Sequence, residues 1–428
     1  MSKIGKRLWT VAVMCVTVTA GSVWADEIAE LKKQMAEMQA KLLQLEQQQA
    51  AQQQQVVAQD QKIAAFKPAE MTIPETLKWV EKIKIYGDFR YRYENVSYER
   101  NGGQQDAVNR NRIRLRLGLT AKINDEVTLD TRIATGKSDD PTSTNQNMGD
   151  SWTYKGVWLD RAYLTWKPAS VEGLAVLMGK LGNPFVTVGK NQLIWDGDLS
   201  MEGIAAQYSY KLSDETSLFT NAGGFYVRLE DIDVSNKEVD SISMFGAQGG
   251  VTHKFNDNNK LTAGIGYFDY GNLVGETYLL GTSSKGNSYN GGYLYDYDLF
   301  EAFAEYNTKI GSLPVSFYGD YVVNTASSVQ EDTGWLIGTT LNKCKDPGSW
   351  EISYDYRDLE KDAVIGWFSD SDFIGGGTGG RGHRFGITYQ LAKNTQAGLS
   401  YFMNEKANAQ GKFDDDYNRL QADVMVKF

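Results

Sequence analysis

The stretch RIRLRLGLTAKI, residues 112–123, places an arginine at every second position and an aliphatic residue between them. In a β-strand successive side chains point to opposite faces, so Arg112, Arg114 and Arg116 share one face, while Ile113 and the leucines that follow share the other. One face is therefore strongly cationic and the other wholly apolar. Such a strand fits a wall between water and lipid, although a soluble sheet can show the same pattern.

The composition favours many strands over packed helices. Of 428 residues, 43 are glycine, 7 are proline and 24 are tyrosine, which is typical of tyrosine-rich strands joined by polar loops. After the first 25 residues no segment approaches the roughly 20 consecutive apolar residues of a spanning helix, so a membrane role would require a closed barrel. The net charge of −10 argues against nucleic acid as a partner.

Residues 1–25 predict a secretory signal peptide that is cleaved after Ala25. A basic start precedes the apolar run LWTVAVMCVTVTA, and small residues occupy the positions that a signal peptidase reads. The first cysteine would leave with the signal. The mature chain would then keep Cys344 alone, which excludes an internal disulfide.

Residues 26–66 carry apolar side chains in alternating steps of three and four, from Ile28 to Phe66. This heptad seam predicts a coiled coil between chains, and its polar layers favour a parallel homotrimer. Glutamines occupy several seam positions in the middle, and a disordered glutamine-rich tail is the alternative. Two prolines end the helix, and a linker is expected at 67–82.

From residue 83 to residue 428 the period of the pattern changes to two. About sixteen segments of roughly ten residues alternate in this way, and short turns alternate with long loops, as in outer-membrane barrels. The last segment, YNRLQADVMVKF, ends on Phe428 at an outward position and matches the signal that the barrel assembly machinery recognises. The expected fold is all-β: a transmembrane antiparallel β-barrel of about 16 strands, preceded by the α-helical coiled coil.

The chain resembles the Gram-negative outer-membrane porins, and in particular a porin family that carries a periplasmic coiled coil ahead of the barrel. The most specific part is residues 179–208, with a Gly-Lys-x-x-Asn-Pro-Phe run, a Trp-Asp-x-Asp run and a following Glu-Gly. The resemblance implies a homotrimer in the outer-membrane lipid, with the N-terminal segment in the periplasm. It also implies a water-filled channel for passive diffusion of small hydrophilic solutes.

The resemblance also assigns a constriction. In general porins the third outer loop folds into the barrel, and in this chain that loop runs from about 183 to 200. The resemblance therefore suggests that Asp196, Asp198 and Glu202 line the narrowest part of the pore. The alternative is a surface loop whose Trp195 packs on the rim.

Lipid outside the barrel decides which face points inward. A charged side chain near the midplane costs roughly 2–4 kcal/mol, so the arginines must face the lumen. The cations predicted to line the first four strands are Arg90, Arg92, Arg112, Arg114, Arg116, Arg132 and Arg161. The acids predicted to line strands ten to thirteen are Glu301, Glu305, Asp320, Glu351 and Asp355.

These two walls lie on opposite sides of a barrel of this size, so a transverse field is expected across the lumen. The arginines would lower the barrier for anions and carboxylates, which suggests an anion preference. The alternative, which is compatible with the first, is that the arginines pair with loop carboxylates and hold the third loop in place.

Functions of other classes have less support. No metal-ligand spacing, phosphate-binding loop or nucleophile elbow is present, so no cofactor or metal is predicted. The two histidines, His253 and His383, fall at outward positions near strand ends, which argues against a hydrolase. An envelope-tethering protein remains the alternative, with the coiled coil binding a periplasmic partner and the barrel as an anchor. A plugged barrel should carry bulky apolar inward residues, whereas the predicted inward sets are mostly charged or small.

Overall fold

The computed structural model describes scattered helical positions between 33 and 48 and, after them, residues 75–100, 102–229, 231–232, 238–239, 241–277, 279–407 and 413–428. The predicted signal peptide and most of the predicted coiled coil lie outside the described residues. No helix among the described residues is long and apolar enough to cross a membrane. The chain divides into two compact units, Met1–Thr76 and Leu77–Phe428, and every described strand belongs to the second.

Sixteen long strands form this second unit. They are β1 (Ile83–Arg100), β2 (Val108–Lys122), β3 (Val127–Thr135), β4 (Val157–Trp166), β5 (Leu174–Gly182), β6 (Ser200–Lys211), β7 (Thr216–Arg228), β8 (Ile242–Asn256), β9 (Asn259–Gly271), β10 (Tyr297–Ile310), β11 (Leu313–Asn324), β12 (Thr333–Leu341), β13 (Trp350–Leu359), β14 (Gly380–Ala392), β15 (Thr395–Ala407) and β16 (Phe413–Lys427). The 3₁₀ turns are Glu75–Lys82, Val188–Lys190 and Phe373–Gly375.

Every long strand pairs antiparallel with its neighbours in the chain, and the sheet closes on itself. Closure is made by β1 and β16, which pair from Asp88 opposite Lys427 to Tyr98 opposite Tyr417. Closure leaves no free sheet edge, which is what a β-structure needs in lipid. The predicted antiparallel barrel of about 16 strands is confirmed.

The two faces of the barrel wall differ as the arginine strand predicted. On β1 and β2 the outward residues Ile85, Leu115 and Leu117 are 65%, 43% and 41% exposed, while the intervening Arg114 is 7% exposed. Aliphatic and aromatic side chains cover the outside, where contact with lipid does not require a charged group to leave water. The charged face of each strand is left to the lumen.

The two ends of the barrel differ in the length of their connections. Turns such as 257–258 and 311–312 join strands at one end, and the loops 183–199, 272–296 and 360–379 join them at the other. Strand β1 begins and strand β16 finishes at the short-turn end, where the N–H of Gly87 donates to the carbonyl of Phe428 at 2.9 Å. In outer-membrane barrels the short turns face the periplasm.

Part of the lumen is filled with apolar side chains. The three long loops fold inward and pack on inward residues of the middle strands, among them Met244, Phe268, Leu299 and Phe303. The expectation that inward residues are mostly charged or small is therefore wrong for this side. These strands carry apolar residues on both faces because lipid covers one face and inward-folded loops cover the other.

Candidate functional site

The third loop, residues 183–199, is anchored on the predicted acidic wall. The N–H of Gly189 donates to Glu305 Oε2 at 3.0 Å, and Asn191 Nδ2 donates to Asp320 Oδ2 at 2.9 Å. Glu305 and Asp320 lie on β10 and β11, on the far side of the lumen from the strands that the loop joins. The loop therefore crosses the interior of the barrel, as the resemblance to porins implied.

Apolar contacts hold the same loop. Phe185 and Trp195 pack on Phe268 of β9, with ring centroids 4.9 and 5.2 Å apart in edge-to-face geometry. Trp195 is 4% exposed. The alternative of a surface loop whose Trp195 packs on the rim is wrong, because this side chain lies in the apolar core of the lumen.

The other predicted acids are mostly committed to contacts within the protein. Glu301, 1% exposed, accepts from Gln248 Nε2 at 3.0 Å, and the same amide accepts from the N–H of Val186 in the third loop. Asp355, 2% exposed, accepts from Arg384 Nε at 2.6 Å. Glu351 faces inward and is half-buried. The acidic wall thus acts largely as an anchoring surface.

The cationic wall is built from facing residues of β1 and β2. Arg90 lies opposite Arg114, and Asp88 lies opposite Arg116. Like charges facing each other destabilise a sheet, so carboxylates must compensate. Asp88 does so by accepting from Arg114 Nε at 2.9 Å and from Arg116 Nε at 2.7 Å.

The third loop supplies the second carboxylate of this cluster. Asp198 Oδ1 lies 3.1 Å from Arg116 Nη1 and 4.0 Å from Arg114 Nη1. Its other oxygen accepts from the N–H and the hydroxyl of Thr144 at 3.1 and 2.8 Å. Asp198 therefore ties the third loop both to the arginine strand and to the loop 136–156.

A second cluster fixes the loop 360–379. Arg92 donates to both carboxylate oxygens of Asp423 on β16 at 2.7 Å, and its Nη1 lies 3.1 Å from Asp372 Oδ2. Arg419 Nη2 lies 2.7 Å from Asp372 Oδ1 and 2.7 Å from Glu94 Oε1. Asp372 is thus the loop carboxylate that joins two wall arginines.

The remaining predicted arginines have fewer or weaker partners. Arg112 lies 3.4 Å from Glu94, and Arg132 pairs with Asp160. Arg90 Nη2 donates to Asn145 Oδ1 at 2.7 Å. Arg161, at the inward bulge of β4, makes only a 3.3 Å hydrogen bond from Nε to Ser200 Oγ among the described contacts.

Glu202 does not line the lumen. Strand β6 begins at Ser200, and Glu202 shares the outward face with Ile204 and Tyr208, which are 56% and 38% exposed. Its carboxylate accepts from Lys180 Nζ at 2.6 Å on the same outer surface. The expectation of a pore-lining Glu202 is corrected, because this residue lies beyond the loop, at an outward position of β6.

Two cavities lie beside these clusters inside the barrel. The outer cavity, of about 1050 Å³, lies towards the long loops, and the inner cavity, of about 440 Å³, lies deeper beside the third loop. They share Thr142, Asn145 and Ser371 as lining residues. Ser371 Oγ donates to the carbonyl of Thr142 at 2.9 Å. The contact between loops 136–156 and 360–379 therefore marks the narrow point between the cavities.

The pKa values of two neighbouring aspartates of the third loop are shifted in opposite directions. Burial raises the pKa of Asp196 well above its ordinary value, and the carboxylates of Asp198 and Asp370 raise it further. Burial also acts to raise the pKa of Asp198, but the guanidinium groups of Arg114 and Arg116 lower it below its ordinary value. Asp196 accepts from the N–H of Ser371 at 2.9 Å. The protonation state of Asp196 therefore affects the residue that forms the narrow point between the cavities.

The raised pKa of Asp196 predicts a loss of stability with rising pH. The unfolded chain ionises this group near its ordinary value while the folded chain keeps the proton, so the free energy of unfolding falls as pH rises from that value to the folded pKa. The steepest slope is about 1.4 kcal/mol per pH unit. Urea unfolding in vesicles across pH should show this decline. Asp196→Asn, which cannot ionise, should flatten it, and an unchanged slope would contradict the prediction.

Several charged residues of the site were not among the predicted site residues. They are Glu94, Asp160, Asp370, Asp372, Arg384, Arg419 and Asp423. Glu94, Arg419 and Asp423 alternate in step with recognised inward residues, so the dyad pattern places them inward without showing their partners. Asp160 faces inward only because a bulge shifts the register between β3 and β4.

The two histidines lie on outward faces near strand ends, as predicted. His253 Nδ1 lies 2.8 Å from Thr216 Oγ1, and His383 Nδ1 lies 3.0 Å from the hydroxyl of Tyr354. His383 also lies against Phe385 with ring centroids 6.2 Å apart. Both positions are typical of aromatic and polar residues at a membrane interface.

The sequence matches a known family. Residues 101–291 and 293–428 fit the profile of a family described as "Putative porin". A search of curated proteins returned no significant match.

Solved barrels resemble the structure at low sequence identity. OprB of Pseudomonas putida is 13% identical over 80% of this chain and 94% of its own, with a TM-score of 0.52. The outer membrane channel DcaP of Acinetobacter baumannii is 13% identical over 81% and 97%, with a TM-score of 0.47. The likeness to OprB supports the barrel fold. With the family match over most of its length, the chain belongs to this family of porins and is an outer-membrane channel protein.

Proposed function

We propose that the protein forms a water-filled channel through which small hydrophilic solutes diffuse passively, with a preference for anions. The observation that carries this proposal is the inner cavity, which lies inside a closed barrel and against the arginine wall of β1, β2 and β4. Fixed cations beside a low-dielectric wall lower the barrier for anions more than they would in open water. Six of the predicted pore-lining residues line the two cavities and remain part of the proposal: Arg90, Arg112, Arg114, Arg161, Asp196 and Asp198. Glu202 faces outward, and contacts within the protein bury Glu301, Asp320 and Asp355.

The test is the current carried by purified protein in a planar bilayer. Stepwise ohmic currents are expected, and under a salt gradient the reversal potential should have the sign of an anion-favouring pore. The preference should weaken from 0.1 M to 1 M salt, because the Debye length shrinks from about 10 Å to about 3 Å. A protein that inserts into the bilayer and changes its gel mobility on heating, as a folded barrel does, yet never conducts, would overturn the proposed channel.

The second candidate function is that of an envelope tether, in which the coiled coil binds a periplasmic partner and the barrel is an anchor. One observation favours it. The apolar loop packing on the middle strands narrows the lumen and gives the barrel the filled interior of an anchor. Strand β1 begins at the short-turn end, which supports an N-terminal segment in the periplasm. Absence of conductance, together with capture of a periplasmic protein that requires residues 26–66, would favour the tether.

A homotrimer and recognition by the barrel assembly machinery complete the proposal. The heptad seam of residues 26–66 supports self-association, and the closed β1–β16 seam places Phe428 at the short-turn end. Phe428 is 56% exposed, as an outward terminal aromatic should be. Native mass of the mature protein decides the assembly, and a monomer would count against the coiled coil.

A further inference from the structure

Three cations line the inner cavity without a close carboxylate partner. Among the described residues no carboxylate lies within 4 Å of Arg161 or Lys190, and both line the cavity. Arg90, the third, has the Asp423 carboxylate at 3.9 Å and no nearer carboxylate in the part of the chain that the structure describes. Asp423 is already held at 2.7 Å by another arginine. The Nε of Arg90 is buried and has no hydrogen-bond partner among the described residues.

The carboxyl groups that line the same cavity are already engaged. They are Asp196, Asp198, Asp370 and Asp372. The last three lie 3.1, 2.9 and 2.7 Å from guanidinium nitrogens of wall arginines. Burial raises the pKa of Asp196 and favours its neutral form. The cavity therefore holds positive charge that its own acids do not balance.

The Arg161 guanidinium lies against Gly182. A Cβ at Gly182 would come within 2.8 Å of Arg161 Cζ, so a larger residue there would displace the guanidinium from this place. From this place it faces the cavity together with Lys190, which stands on the third loop and is exposed. Planar guanidinium groups present paired N–H donors that match a carboxylate.

We propose that Arg90, Arg161 and Lys190 form a binding site for a small organic anion that carries two carboxylate groups. The inference rests on the proposed function, since a site inside the barrel meets solutes only if they enter. A volume of about 440 Å³ accommodates a short dicarboxylate with part of its hydration. Two carboxylates can each meet a guanidinium while the flexible ammonium completes the charge balance.

Calorimetric titration of the purified protein in detergent at low salt tests the site. Glutarate should bind, butyrate should bind more weakly because it carries one charge, and the neutral diamide of glutarate should give no binding heat. Arg161→Gln and Lys190→Gln should each weaken glutarate binding by about fivefold, the usual size of one partly solvated ion pair. Lys190 is exposed, so its variant should fold even where the Arg161 variant does not.

Lys137→Gln is the matched control, because it removes one positive charge from the outer cavity and none from the inner. Equal weakening by this variant, or inorganic phosphate binding more tightly than glutarate, would overturn the assignment. The same preparation is tested in bilayers. A channel that conducts without binding glutarate would overturn the site and keep the proposed function. Binding without conductance would support the site and overturn the channel.

Discussion

Replacing Asp372 by asparagine should lower the free energy of unfolding by about 2 kcal/mol and raise the conductance. The Asp372 carboxylate lies 3.1 Å from Arg92 and 2.7 Å from Arg419. Through these contacts it joins both wall arginines to the loop 360–379. Both arginines keep Asp423 or Glu94 as partners. The expected cost is therefore that of lost charged hydrogen bonds, not of an isolated buried charge.

The conductance should rise because the released loop carries Ser371. The Ser371 hydroxyl donates to Thr142 at the narrow point between the two cavities. Ser371→Ala should therefore raise conductance with little loss of stability, which separates the effect of the Ser371–Thr142 contact from that of the Asp372 anchor. Asp214→Asn, in an exposed turn ion pair with Lys211, is the control and should change neither quantity. An Asp372 variant that is destabilised but conducts as the wild type would place this loop outside the solute path.

The low pKa of Asp372 sets the pH range of this anchor. Burial acts to raise the pKa, but Arg419 and Arg92 lower it below its ordinary value. A lowered folded pKa gives stability that is present above the unfolded value and is lost only as pH falls below it. The anchor should therefore persist in mildly acidic medium, in contrast to the contribution of Asp196.

Strand number and wall orientation could be predicted because lipid penalises errors in both. In the stretch from Arg112 to Lys122 a shift by one residue would put three arginines into hydrocarbon. The third loop could be placed from the resemblance of residues 179–208. Its inward course was then confirmed by contacts to Glu305 and Asp320.

The interior of the barrel was harder to predict, because partners within it come from distant loops. Asp372 lies in a glycine-rich segment with no periodicity, and its arginine partners are 280 and 47 residues away in sequence. Asp160 faces inward through a bulge that the dyad pattern does not show. Glu202 was misplaced because the resemblance extended the constriction beyond the loop into β6, where Glu202 shares the face of the outward Ile204.

The charge pattern predicted the inward direction of the acidic wall but not its burial. Glu301 and Asp355 were correctly placed inward, yet they are almost fully buried by contacts with Gln248 and Arg384. An inward position predicts contact with water only where no loop covers it. The loops that fold inward are themselves recognisable by their apolar residues, such as Ile194 and Trp195, which an exposed loop would not carry.

The largest expected effect comes from the arginines of the opening stretch. Arg114→Ala with Arg116→Ala removes both guanidinium groups that hold Asp88 and Asp198, whose side chains are 12% and 14% exposed. Two carboxylates are left buried without a cation, so the free energy of unfolding should fall by roughly 3–5 kcal/mol. Bilayer currents should become noisy, because the third loop loses its hold on the wall.

A charge-balanced variant separates bracing from direct contact with solutes. Adding Asp88→Asn and Asp198→Asn to the double variant removes the unpaired carboxylates and should restore much of the stability. The current should stay noisy because the loop is still released, while the reversal potential should return close to the wild-type value because the cluster is neutral in both proteins. If these arginines instead contact passing anions, the reversal potential will stay shifted towards cations in the balanced variant and the current will be quiet. Measurement at 0.1 M salt keeps the two outcomes apart, since charges within about 10 Å of the path still act on the solute there.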